Sequence, residues 1–199
     1  MAFESLWQEL GQQPRTRIFH RLRQRNAAGV RGLYLWGGVG RGKTWLMDLF
    51  FDTLPGEDKL RVHFHRFMQR VHHELRDLGR VRDPLPKITA NWAAQCRVLC
   101  LDEFFVADIA DAMLLAGLLE NLFANGVTLV TTSNTEPDNL YRDGLQRTKF
   151  LPAIELLKQH VRVLRIEGDT DFRLRILEQS EIFHHPLDDS ADRVMTAAF

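Results

Sequence analysis

Along this chain, short apolar runs alternate with longer stretches whose apolar residues recur every three or four positions. The short runs cover 32–36, 60–67, 97–101, 127–131 and 161–166, and each predicts a β-strand. The intervening stretches predict helices from the end of the first loop to about Thr53, over 68–78, near 88–94, over 108–123 and over 150–159, with a short helix near Tyr141 opened by Pro137. Strand alternating with helix predicts a parallel sheet with right-handed crossovers. Val98-Leu99-Cys100-Leu101 is apolar throughout, as in a strand covered on both faces. Residues 3 to about 26 also carry helical spacing, with Phe3, Leu6, Trp7 and Leu10 on one face and Ile18, Phe19 and Leu22 on another, interrupted at Gly11 and Pro14. After Gly168 the pattern weakens to one short helix and a polar tail. The chain therefore divides into a helical segment (1–30), an α/β core (31–168) and the start of a C-terminal region (169–199).

The loop after the first strand carries the chemistry. Gly37-Gly38-Val39-Gly40-Arg41-Gly42-Lys43-Thr44 matches the phosphate-binding pattern GxxxxGK[ST], with a strand before it and an amphipathic run after it. Glycines let successive backbone N–H groups turn inward around a polyphosphate, and the following helix aims its positive end at the same place. Lys43 reaches the β- and γ-phosphates, and the Thr44 hydroxyl suits Mg²⁺.

Binding alone is not hydrolysis. Val98-Leu99-Cys100-Leu101-Asp102-Glu103 ends a strand in two acids, at the sheet edge where ligands of α/β folds lie. Asp102 is the candidate to hold Mg²⁺ through a water, and Glu103 to polarise the attacking water. Thr132-Ser133-Asn134 ends the next strand, which makes Asn134 the candidate partner of the γ-phosphate or the lytic water. Arg147, or Arg142 near it, is the candidate arginine finger for a neighbouring subunit's nucleotide. A kinase is disfavoured, because a glutamate base after the metal aspartate would spend ATP on water.

Charge and composition narrow the partners. Of 199 residues, 26 are basic and 26 acidic, so nothing global points to nucleic acid or an anionic membrane. The region from Arg15 to Arg31 holds arginines and no acid; it is the one support for an ATP-dependent nucleic-acid loader, although such runs are more often the solvated face of a helix. Cys96 and Cys100 are too far apart on one extended segment to bridge, which fits a reducing compartment. With no signal peptide and no run of membrane-spanning length, a cytoplasmic location is expected. His63 and His65 alternate on the predicted second strand, with His72 and His73 beyond, but no cysteine or carboxylate joins them at a zinc-like spacing. Phe104-Phe105 and the stripe Ile109, Met113, Ala116, Leu119, Leu122 are expected to pack in the core.

Taken as a set, the motifs resemble an AAA+ ATPase. The segments 32–48, Val62-His63-Phe64-His65-Arg66-Phe67-Met68, Val98 to Val106, Thr132-Ser133-Asn134, Leu140 to Arg147 and Asp171-Phe172-Arg173-Leu174-Arg175 are similar to the ZapE branch of the "ATPase family gene one" proteins. The resemblance covers about residues 28–187. It implies a P-loop NTPase core with a five-stranded parallel sheet of 5-1-4-3-2 type, ATP and Mg²⁺ as ligands, and assembly of a homo-oligomeric ring or arc. It further implies action on a protein partner, in bacteria at the FtsZ division ring. About 30 residues follow the fifth strand, so the helical lid of such ATPases is expected to be largely absent from this stretch and a nucleotide-binding scaffold without turnover stays open as an alternative.

Overall fold

The computed structural model describes residues 2–12 and 30–167. The arginine-rich run up to Arg25 and the C-terminal segment from Gly168 lie outside these residues. Helix α1 (Ala2–Gln12) comes first. The core then runs β1 (Gly32–Trp36), α2 (Lys43–Thr53), β2 (Lys59–His63), α3 (Phe64–Leu78), α4 (Leu85–Gln95), β3 (Val98–Asp102), α5 (Ile109–Ala124), β4 (Thr128–Ser133), a 3₁₀ turn (Pro137–Asn139), α6 (Arg147–His160) and β5 (Val161–Arg165).

All strand pairs are parallel and the sheet order is β2-β3-β4-β1-β5, the expected 5-1-4-3-2 arrangement read from the other edge. Every residue of the interior strands β3 and β4 is buried, whereas the edge strands β2 and β5 are only partly covered. Side chains alternate across the sheet, so each strand feeds two cores. Leu33, Leu35, Val98, Cys100 and Val130 pack with α1 and α2 through Leu6, Leu10, Met47 and Phe50. Tyr34, Leu99, Leu101 and Leu129 pack on the opposite face with residues of α3 to α6. Both apolar faces of the sheet are thus removed from water, the condition for a parallel sheet.

Four expectations are corrected. The second strand stops at His63, and α3 begins at Phe64 rather than Met68. Phe64, Phe67, Met68 and Val71 are all buried, and their spacing is that of one helix face. His63 and His65 therefore do not share a strand face. On α5 the buried ridge is Ala112, Leu115, Leu118, Leu119 and Leu122, while Ile109, the first helical residue after the Asp108 cap, stands 38% exposed. Phe104 is fully buried, its ring tilted by 43° against that of Phe64, but Phe105 is 62% exposed. The last helix starts at Arg147, three residues earlier than the apolar pattern indicates.

Candidate active site

The glycine loop leaves β1 at the carboxyl edge of the sheet and closes on α2. Gly40 (φ 78°) and Gly42 (φ 80°) adopt left-handed backbone, which side chains disfavour. Gly37 passes so close to the chain after β5 that an added Cβ would lie 2.5 Å from the Ile166 carbonyl oxygen. The glycines therefore answer to real geometric demands. Lys43, at the first turn of α2, is buried and donates to the carbonyls of Gly37 at 2.8 Å and Gly38 at 2.6 Å. Its ammonium thus folds back over the loop that it follows.

In front of the loop lies a cleft of about 400 Å³, lined by Val39 to Trp45 on one side and by Glu103, Thr132, Ser133 and Asn134 on the other. The loop, the acid and the strand-end asparagine singled out from sequence share one cavity. Trp45, 64% exposed, lies at its rim. A second cavity, about 320 Å³, opens beside Gly37 and Gly38 and shares Arg41 and Asn134 with the first. Thr44 lines the first cleft and is exposed.

Glu103 sits at a left-handed backbone position (φ 56°), uncommon for a residue with a side chain. Thr132 on β4 stabilises this turn: its hydroxyl accepts from Glu103 N at 3.1 Å and its carbonyl accepts from Phe104 N at 2.7 Å. The turned backbone projects the Glu103 carboxylate outward, 77% exposed, with His63 Nδ1 at 3.8 Å. Ser133 Oγ donates to the Phe104 carbonyl at 2.7 Å. Beneath, buried Tyr34 donates to the Thr135 carbonyl at 2.7 Å and so anchors the segment that carries Asn134. Burial holds the Tyr34 phenol far above its ordinary range.

Asp102 takes a different position from its neighbour. It is buried, and its carboxylate turns to Arg61 of β2: Nε donates to Oδ2 at 2.6 Å and Nη2 to Oδ1 at 3.3 Å. Arg61 Nη1 also donates to Asp48 on α2. Burial works against the Arg61 charge, but the two carboxylates outweigh it and hold its pKa above the ordinary value. Neither Arg61 nor Thr132 was singled out from the sequence. An arginine flanked by Leu60 and Val62 inside a short strand is the one local signal for Arg61; Thr132 gives none.

Arg147 does not enter either cavity. Its Nη2 donates to the Asp138 carbonyl at 2.7 Å within the same chain, and Arg142 beside it is exposed. Arg31, the last arginine of the basic run, caps α6 by donating to the carbonyls of Lys158 and Val161. His72 pairs with Asp111 at 2.7 Å and His73 with Asp77 at 3.3 Å, so the histidines of α3 make separate contacts. Both cysteines are buried, and burial pushes their thiols up to about 12. No helix among the described residues is long and apolar enough to cross a membrane.

A parallel sheet of this order, with a glycine loop on β1 and an acid pair ending β3, defines a P-loop NTPase with an AAA+ core. The family model of the AFG1-like ATPases matches residues 2–199, and the chain belongs to that family. Cell division protein ZapE of Escherichia coli (strain K12) is 61% identical over 160 residues, which make up 80% of this chain and 43% of that protein. Lactation elevated protein 1 homolog B of Danio rerio is 39% identical over 181 residues, 85% of this chain and 36% of that protein. The chain thus spans less than half the length of these relatives. Among solved structures, DnaI superposes with a TM-score of 0.53 at 19% identity, covering 80% of this chain and 87% of that one. AMPPCP-bound DnaA from Aquifex aeolicus gives 0.54 at 18%, covering 86% and 52%. At such identities these structures show the shared fold.

Proposed function

We propose that this chain is the hydrolytic core of a Mg²⁺-dependent ATPase that converts ATP and water to ADP and phosphate and acts on a protein partner in cell division, with the FtsZ ring as its site of action. The observation that carries the reading is the cleft shared by residues 39–44 of the loop, Glu103 and Asn134. The backbone of 37–44 cradles the phosphates, and Lys43 exchanges its two carbonyl partners for phosphate oxygens. Glu103, held outward by Thr132, accepts a hydrogen bond from the attacking water and polarises it, and Asn134 orients that water or the γ-phosphate. A hydroxyl and a carboxylate are oxygen donors of the type that Mg²⁺ accepts beside phosphates: Thr44, which lines the cleft, would ligate it directly, and Asp102, buried behind the cleft residue Thr132, would hold it through a water. Bound there, Mg²⁺ would draw off charge developing between the β- and γ-phosphates. The division role is supported by the name of the Escherichia coli relative. Assembly into a ring or arc, with Arg147 or Arg142 serving the next subunit, fits arginines that stay out of their own cleft.

The test is ATPase rate against protein concentration, for this chain and for a version extended toward the length of its relatives, each with Glu103→Gln as control. The expected result is a rate per subunit that rises with concentration, and a Glu103→Gln protein that binds ATP but turns it over about 10²–10⁴-fold more slowly. Turnover at the parent rate by Glu103→Gln would refute the role of Glu103. Co-sedimentation with FtsZ polymers that requires ATP is expected of the extended protein; no co-sedimentation in any nucleotide state counts against that partner.

A further inference from the structure

The loop and the acid pair belong to different elements, α2 and β3, and one side chain joins them. Arg61 stands on β2, where the register pairs it with Cys100. Asp102, two residues beyond Cys100, therefore lies on the same face of the sheet, diagonal to Arg61 and within reach of a long side chain. That face is covered by α2, since Cys100 packs with Met47 and Phe50. Asp48 lies four residues after Thr44 on α2, one turn along the same helix face. A single guanidinium thus forks between a buried carboxylate at the end of β3 and a half-exposed carboxylate on the helix that presents Thr44.

We infer that Arg61 is a positioning residue, which aims Asp102 and ties it through Asp48 to the helix carrying Thr44, and so sets the spacing of the groups that receive Mg²⁺. This rests on the reading of Thr44 and Asp102 given under Proposed function. A planar fork fixes both the distance and the direction of two carboxylates, which a lysine's point charge cannot do. Outer partners of ligating groups typically change metal affinity by about 10- to 100-fold when removed. A counter-charge acting by electrostatics alone has the opposite sign: deleting a cation beside Asp102 would make it a better host for Mg²⁺. The two roles are therefore separable by direction.

The experiment titrates Mg²⁺ against the binding of a non-hydrolysable ATP analogue to the whole chain, beside binding in EDTA and a thermal unfolding curve for each variant. Arg61→Gln is expected to raise half-saturating Mg²⁺ by about 10-fold or more while binding in EDTA stays near that of the parent. Asp48→Asn leaves Arg61 on Asp102 and removes only the link to α2; it is expected to shift half-saturation the same way by a smaller factor. The double variant is expected to be no worse than Arg61→Gln alone, because both changes break one connection. Unchanged or lowered half-saturation in a folded Arg61→Gln protein overturns the inference, as do effects of the two changes that multiply independently. Should Arg61→Gln not fold, Asp48→Asn decides, and parent-like Mg²⁺ dependence in it overturns the inference. If the parent shows no Mg²⁺-dependent binding at all, the proposed function itself falls, and the inference with it.

Discussion

Replacing Lys43 by Met keeps most of the aliphatic stem and removes the charge. In this structure the ammonium makes two hydrogen bonds to neutral carbonyls of its own loop, at 2.8 and 2.6 Å. On nucleotide binding these partners give way to phosphate oxygens, so hydrogen bonds are exchanged rather than added. With phosphate, the ammonium faces full negative charge rather than carbonyl dipoles. With the residue only 9% exposed, an effective dielectric constant near 20 is appropriate, and two unit charges about 4 Å apart then attract by about 4 kcal/mol. That corresponds to about 10³-fold in Kd. Isothermal titration of parent and Lys43→Met with Mg·ATP measures it directly, and the fluorescence of Trp45 at the cleft rim offers a second readout. A thermal unfolding curve guards against a trivial cause, because losing the two carbonyl bonds should cost the free protein about 1–3 kcal/mol. A folded Lys43→Met protein that binds ATP within about threefold of the parent would refute the assignment of this cleft to phosphate.

Three further outcomes are expected. Tyr34→Phe should lower stability by about 1–3 kcal/mol, since it leaves the Thr135 carbonyl without its buried donor, and it should weaken turnover by loosening Asn134; an unchanged melting temperature would refute that anchoring role. Cys96 and Cys100, with thiols pushed up to about 12, are protonated near neutral pH and buried, so iodoacetamide should label them only on unfolding; rapid labelling of the native protein would contradict the packing. Arg147→Ala should leave nucleotide binding intact and reduce turnover only where subunits assemble, and an equal loss in a strictly monomeric sample would refute a role on the neighbouring nucleotide.

The parts of this site that were legible in the chain are those that chemistry forces into one contiguous stretch. A polyphosphate cradle needs successive N–H groups, left-handed glycines and a lysine at the start of a helix, and residues 37–44 supply them in order. A strand buried on both faces must be apolar until it reaches the sheet edge, which marks Asp102 and Glu103. Element boundaries were less legible where two periods overlap: His63-Phe64-His65 alternates like a strand, yet Phe64, Phe67, Met68 and Val71 bury one helix face, and packing decided for the helix.

Sequence by itself therefore determined the alternation of strands and helices, the loop that can hold a phosphate and the pair of acids. Tertiary structure alone decided what each of those acids faces. Adjacent residues of one strand end point opposite ways, so Asp102 turned inward to Arg61 from β2 while Glu103, bent by the hydroxyl of Thr132 from β4, turned outward to the cleft. Neither partner lies near the acids along the chain, and no local pattern could name them; the register of a parallel sheet, which joins strands far apart in sequence, made the choice.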